Sequence, residues 1–128
     1  VKLLLDTCAF IWLASDRFQL SATAAREIQN NANEIFFSLA SAWELCLKVK
    51  TRKIELPDKP LPWVSGRLDY WKIRLLEISL EAICQTTELA DIHKDPFDRM
   101  LVAQARTHGL TIVTPDPFVK KYPVQTLW

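Results

Sequence analysis

Asp6, Glu44, Asp98 and Asp116 are the side chains of this sequence best suited to chemistry. Asp6 closes the apolar run "LLLD", Glu44 lies in "SAWELCLKVK", Asp98 in "HKDPFDRMLVAQA" and Asp116 in "LTIVTPD". Four carboxylates meeting in one place repel each other. At about 4–5 Å and an effective dielectric of about 20, each pair costs roughly 4 kcal/mol. Such a cluster calls for a bound cation. An all-oxygen donor set, with no Cys/His group at zinc spacing, points to Mg²⁺ or Mn²⁺. An ion of that kind holds a phosphodiester oxygen, acidifies a bound water and stabilises a leaving oxygen.

Each acid also has an ordinary structural explanation. Asp95 reads as a helix N-cap, Pro96 as the first helical residue and Asp98 as a first-turn charge. Ser41 and Glu44 have capping-box spacing, although Ser38 is a second candidate cap, which would put Glu44 beyond the first turn. Asp6 suits a cap and Asp116 a turn. Caps do not need charge, however, and Ser, Thr or Asn would serve, so the four acids together are harder to explain than any one alone.

The elements that must position these acids alternate between strand and helix. Strands are expected at 3–6, 34–39, 73–79, 110–116 and, as a short edge, 124–128. Helices are expected at 10–15, 20–33 with Ser21 as cap, 41–50, 80–91 and 96–108, the last closed by Gly109. The proline-bearing stretch 54–66 reads as a loop with a helix from Trp63 onward. Strands that lack polar alternation are buried on both faces, so the expected architecture is α/β with a central parallel sheet of four to five strands and helices on both faces. Ligands bind such sheets beyond the carboxyl ends of the strands. Three of the four acids fall just after a strand or in the helix that follows one.

The remaining composition narrows the possibilities. The 128 residues fit one domain, residues 1–128. Two glycines, Gly66 and Gly109, are too few for a Walker A loop or a GxGxxG fingerprint. The net charge of +1 gives no global pull on nucleic acid. Local basic clusters at Lys48, Lys50, Arg52 and Lys53, at Lys72 and Arg74, and at Lys120 and Lys121 suit a solvated face or phosphate contacts. No apolar run is long enough to span a membrane, and "VKLLLDTCAF" reads as a buried strand, not a signal peptide. Cys8, Cys46 and Cys84 are scattered in apolar surroundings and read as reduced core thiols of a cytoplasmic protein. Trp12, Trp43 and Trp128 are expected in the core. Trp63 and Trp71 are candidates for an exposed interface. His93 reads as a loop residue and Arg99 as the partner of a carboxylate.

The ordered segments "LLLDTCAFIWLAS", "SLASAWELCLKVKTRKIEL", "HKDPFDRMLVAQA" and "TIVTPDPFVKKYPVQTLW" resemble PIN-domain proteins, specifically VapC-like toxins of toxin–antitoxin pairs. The resemblance runs almost end to end. It implies a PIN fold and a divalent-metal-dependent endoribonuclease that acts on RNA and is neutralised by a cognate antitoxin; the interface expected at Trp63 and Trp71 would face that antitoxin or a second copy in a homodimer. It assigns the family's four acids to Asp6, Glu44, Asp98 and Asp116, and sets Thr7 and Thr114 beside them as orienting groups. Asp95 stays a cap that supports Asp98. A metal-activated water attacking in line would leave 5′-phosphate and 3′-hydroxyl ends, with no histidine required.

Rival readings fit less well. A phosphoacceptor receiver domain needs a second acid after the first strand and an aspartate after the third, where "EISLEA" has none. An Asp-x-Asp-x-Thr phosphatase needs an acid at Cys8. The alternative that survives is a catalytically silent PIN-like module that binds RNA or protein.

Overall fold

The computed structural model describes residues 1–128. Five strands form one parallel sheet in the order β3-β2-β1-β4-β5, with β1 Lys2–Leu5, β2 Glu34–Ser38, β3 Arg74–Leu76, β4 Thr111–Val113 and β5 Thr126–Leu127. Six helices surround it: α1 Thr7–Ser15, α2 Ala22–Gln29, α3 Leu39–Lys50, α4 Pro60–Trp71, α5 Leu80–Thr86 and α6 Pro96–His108. No helix is long and apolar enough to cross a membrane.

The central strand shows why the sheet is covered twice. Leu3 and Leu5 of β1 face one layer, where they meet Phe10, Ala24, Leu45 and Trp63 from α1 to α4. Leu4 faces the other, where it meets Leu101, Val102 and Ala105 of α6 and Tyr122. Successive strand side chains point to opposite faces, so an unbroken apolar strand needs a core on each side. Phe10 stacks on Phe37 at 4.0 Å between ring centroids and ties α1 to β2.

From β1 the chain leaves over the first face through α1 and α2. It returns to β4 from the second face through α6. The carboxyl ends of β1 and β4 therefore flank a crevice, the position at which open α/β sheets bind ligands.

Local chemistry sets the helix starts. Asp6 caps α1 by accepting from Ala9 N–H at 2.7 Å, and Ser21 caps α2 by accepting from Ala24 N–H at 3.0 Å. Ser38 caps α3, accepting from Ala40 N–H at 3.0 Å, so the capping-box reading of Ser41 and Glu44 fails. Ser41 lies inside the helix and is buried. The proline-bearing stretch departs furthest from expectation. Pro60 sits at the first position of α4, where a missing N–H costs nothing, and the helix runs on to Trp71. Helices α2 and α5 stop at Gln29 and Thr86, short of the expected 33 and 91.

Several side chains also lie elsewhere than expected. All three cysteines are exposed, because Cys46 and Cys84 lie on the outward faces of α3 and α5 and Cys8 sits at the open start of α1. Trp63 is buried beside Phe10, not exposed. Trp12 and Trp128 pack together at 5.7 Å on the margin of the core. Trp43 is 63% exposed, since it lies on the face of α3 turned away from the sheet.

Candidate metal centre

The crevice between β1 and β4 gathers the acids. Asp6 follows β1 directly and is buried. Its Oδ1 is held by Ala9 N–H and its Oδ2 by the Thr114 hydroxyl at 2.6 Å. The Thr114 oxygen in turn accepts from Asp116 N–H at 3.0 Å, so one threonine after β4 orients the acids of both strands. On the other side, the Thr7 hydroxyl donates to Glu44 Oε1 and draws the α3 carboxylate toward the start of α1. Both threonines thus stand where the resemblance implies orienting groups.

Asp98 enters from α6. Asp95 caps that helix, accepting from Phe97 N–H at 2.8 Å, and Pro96 occupies its first turn. The cap and the acid therefore have separate places, and the cap fixes the direction of the turn that carries Asp98. Asp116 is fixed by a turn of its own, with Oδ1 accepting from Phe118 N–H at 2.7 Å.

His93 links these two acids. Its Nε2 lies 3.0 Å from Asp98 Oδ2 and 3.1 Å from Asp116 Oδ2. Its Nδ1 accepts from Asp95 N–H at 3.3 Å, which leaves the ring proton on Nε2, facing both carboxylates. The loop-residue reading of His93 therefore misses its place in the centre. The available signal was its position two residues before the cap of the helix that carries Asp98. The ligand atoms of His93, Asp98 and Asp116 all lie within 4.8 Å of one another.

Arg99 also departs from expectation, since it binds no carboxylate. Its guanidinium donates to the carbonyls of Thr86, Leu89, Ala90 and His93 and to the Tyr122 hydroxyl, at 2.6–3.2 Å. Tyr122 donates to Ala90 O and accepts from His93 N–H, both at 2.9 Å. The loop that presents His93 is thus stapled from two sides. The planar fork of Arg suits such multiple acceptors, which a lysine would not match.

The electrostatics reflect crowding. Burial pushes Asp6 up to about 6, against the help of Thr114 and Ala9, and Glu44 and Asp116 push it further. Burial likewise raises Asp98 to about 7, with Asp95, Asp6 and Glu44 adding to the shift and His93 opposing it. The exposed Cys8 feels the same field: partial burial and then Asp6, Glu44 and Asp98 push its thiol to about 11, although Lys48 pulls it down. Negative charge has been concentrated here without a matching set of protein cations.

That donor set fits a hard divalent ion. Carboxylates predominate, one imidazole is at hand, and no thiolate is placed to compete. The His93 proton is the only cationic or donor side-chain group shared by Asp98 and Asp116, and it leaves other lone pairs of both acids open.

A PIN domain model matches residues 3–124. Among curated relatives, ribonuclease VapC22 of Mycobacterium tuberculosis is 27% identical over 130 residues, covering 98% of this chain and 97% of the relative. The solved structure of VapBC2 from Rickettsia felis, bound to a DNA fragment from its promoter, superposes with a TM-score of 0.75 at 16% identity, covering 99% of this chain and 98% of that one. FitAcB from Neisseria gonorrhoeae superposes with a TM-score of 0.60 at 19% identity, covering 98% and 96%. A toxin–antitoxin complex from Klebsiella pneumoniae gives 0.60 at 17% identity, covering 98% and 96%. At these identities the structures speak for the fold.

Proposed function

This chain belongs to the PIN-domain family, and from that premise we propose that it is a VapC-like ribonuclease toxin that depends on a divalent metal and is neutralised by an antitoxin protein. The observation that carries this reading is the group of His93, Asp98 and Asp116, whose ligand atoms lie within 4.8 Å of one another, with Asp6 joined to Asp116 through Thr114 where β1 and β4 end. Asp6 and Asp98 are lifted far above the ordinary carboxylate range, to about 6 and about 7.

In this reading Asp6, Asp98 and Asp116 hold the ion and Glu44 completes the acidic wall. Bound there, Mg²⁺ or Mn²⁺ supplies charge for the phosphodiester and a more acidic water. The protein's own groups do the positioning. Thr114 and Ala9 N–H fix both oxygens of Asp6, and Thr7 fixes Glu44. His93 steadies Asp98 and Asp116 through its Nε2 proton, and Arg99 holds the His93 loop in place. The substrate is RNA, cleaved to 5′-phosphate and 3′-hydroxyl ends. The antitoxin reading rests on the company the fold keeps, since toxin–antitoxin assemblies are among its structural relatives.

The test is cleavage of mixed RNAs by purified protein with Mg²⁺, with Mn²⁺ and with a chelator. Wild type should cleave only with metal, while Asp6→Asn and Asp98→Asn should be slower by at least about a hundredfold. Equal cleavage by wild type and both variants would remove the acidic centre from the mechanism. Binding of RNA without metal-dependent cleavage would favour a catalytically silent module.

A further inference from the structure

Beside the acidic centre lies an open cavity of about 830 Å³ that the chemistry above does not use. Ala40 and Trp43 of α3, Ile78, Lys94, and Phe97 and Met100 of α6 are among its walls. Trp43 and Phe97 meet edge to face, with centroids 5.4 Å apart at 85°. We propose that this cavity is a nucleobase subsite, in which Trp43 stacks the base next to the phosphate held at the acidic centre and Phe97 backs the Trp43 ring edge to face. The proposal rests on the ribonuclease reading and names a specificity element for it.

Three observations point to a base. First, Trp43 immediately precedes Glu44 and Phe97 immediately precedes Asp98. Neighbouring helix residues diverge by about 100°, so α3 and α6 each turn an acid toward the crevice and an aromatic to its flank. A base stands off to the side of its phosphate in the same way. Second, His93 contributes to both places: it lines the cavity and bonds Asp98 and Asp116. The two sites are therefore contiguous. Third, Trp43 is 63% exposed although it packs on Phe97, so a large π-face beside the centre is left for a ligand. Exposed aromatics next to a cation are the means by which proteins hold unpaired bases without reading a duplex. Lys94 is exposed at the cavity and supplies that cation. Asp91, also exposed there, offers an acceptor for base amino groups.

The experiment uses Trp43→Ala and Trp43→Phe in full-length protein, with melting curves to show that each folds. The exposure of Trp43 makes loss of the fold unexpected. Two probes are used: a short single-stranded oligoribonucleotide, and the same ribose-phosphate chain without bases. Binding is followed by fluorescence anisotropy in an Asp6→Asn background, so that cleavage does not interfere, and kcat/KM is measured in the active background. Trp43→Ala should weaken oligoribonucleotide binding and kcat/KM about tenfold, leave binding of the base-free chain unchanged, and be largely rescued by Trp43→Phe. Unchanged oligoribonucleotide binding by Trp43→Ala, or equal loss for both probes, would overturn the subsite. The same applies if cleavage and binding persist in Trp43→Ala and only association with an antitoxin is lost, since the cavity would then be a protein-docking surface. If wild type shows base-dependent binding but no metal-dependent cleavage, the subsite stands and the ribonuclease reading fails.

Discussion

The Thr114 hydroxyl donates to Asp6 Oδ2 at 2.6 Å across 108 positions of sequence, and its own oxygen accepts from Asp116 N–H at 3.0 Å. This hydroxyl is the joint between the two strand ends that make the crevice. Thr114→Val keeps the shape of the side chain and removes the donor. Asp6 should then titrate above its present value of about 6, because the bond lowers it. A buried carboxylate left without its partner costs about 1–3 kcal/mol. Urea denaturation should show a loss of that order, and Mg²⁺-dependent cleavage should fall with it. Unchanged stability and activity would show that Asp6 does not need this joint.

Metal-free stability should depend on pH in a defined direction. Asp6 and Asp98 have folded values of about 6 and about 7, above their ordinary 3.8. Between 3.8 and those values the folded state binds more protons than the unfolded chain, so these groups make stability fall as pH rises and then level off above about 7. In chelator, wild type should lose more stability between pH 5 and pH 8 than Asp98→Asn, as denaturant titrations at the two pH values would measure. Parallel losses would show that Asp98 is not under this strain.

Divalent metal should relieve the same strain. A saturating ion at about a hundred times its dissociation constant adds about 2.7 kcal/mol. Mg²⁺ or Mn²⁺ should therefore raise the melting temperature of wild type by several degrees. The rise should be much smaller for Asp6→Asn and Asp98→Asn. Equal shifts in all three proteins would place the ion elsewhere.

Asp95 separates helix punctuation from charge. Asp95→Asn keeps an oxygen for the Phe97 N–H and removes the charge that raises Asp98. Stability should change little, since Asn and Asp cap comparably. Asp98 should ionise at lower pH, so the acid limb of the pH–rate profile should move down. Asp95→Ala loses the cap and should cost about 1 kcal/mol. An unmoved profile in Asp95→Asn would mean that its charge does not reach Asp98.

Arg99 should matter through the loop it staples. Arg99→Lys keeps the charge but cannot reach the same carbonyls and Tyr122 together. Destabilisation of about 2–4 kcal/mol is expected, with a lower kcat from the misplaced His93. If melting and kcat match wild type, the guanidinium bonds contribute little.

The fold was legible because its signals are local and repeated. Apolar strands, Ser21 and Asp95 as caps, and Gly109 with φ 66° after α6 all describe their immediate neighbourhood. The acids were legible because the resemblance fixes their order. What lay beyond the sequence depended on tertiary direction. Cys46 and Cys84 sit in apolar-looking segments, but which face of α3 or α5 meets the sheet is decided by packing. Trp43 is outside the core for the same reason. Between Ser38 and Ser41, only the position at which β2 ends selects the cap. His93 carries no motif, and its role emerges only when the turn after β4 delivers Asp116 to its ring. Arg99 sits beside an acid in sequence, yet a helix turns consecutive side chains apart, and it serves a loop instead.

The sheet order has a consequence for the timing of synthesis. β1 lies at the centre of the sheet, and one of its two neighbours, β4, is formed by Thr111–Val113. Asp6 leaves the ribosome 108 positions ahead of Thr114, and Asp116 follows later still. A nascent chain halted before β4 can carry Asp6, Glu44 and Asp98 and still lack the edge that aligns them. The acidic centre should therefore assemble late and at once, when the segment that carries β4, Thr114 and Asp116 has cleared the exit tunnel.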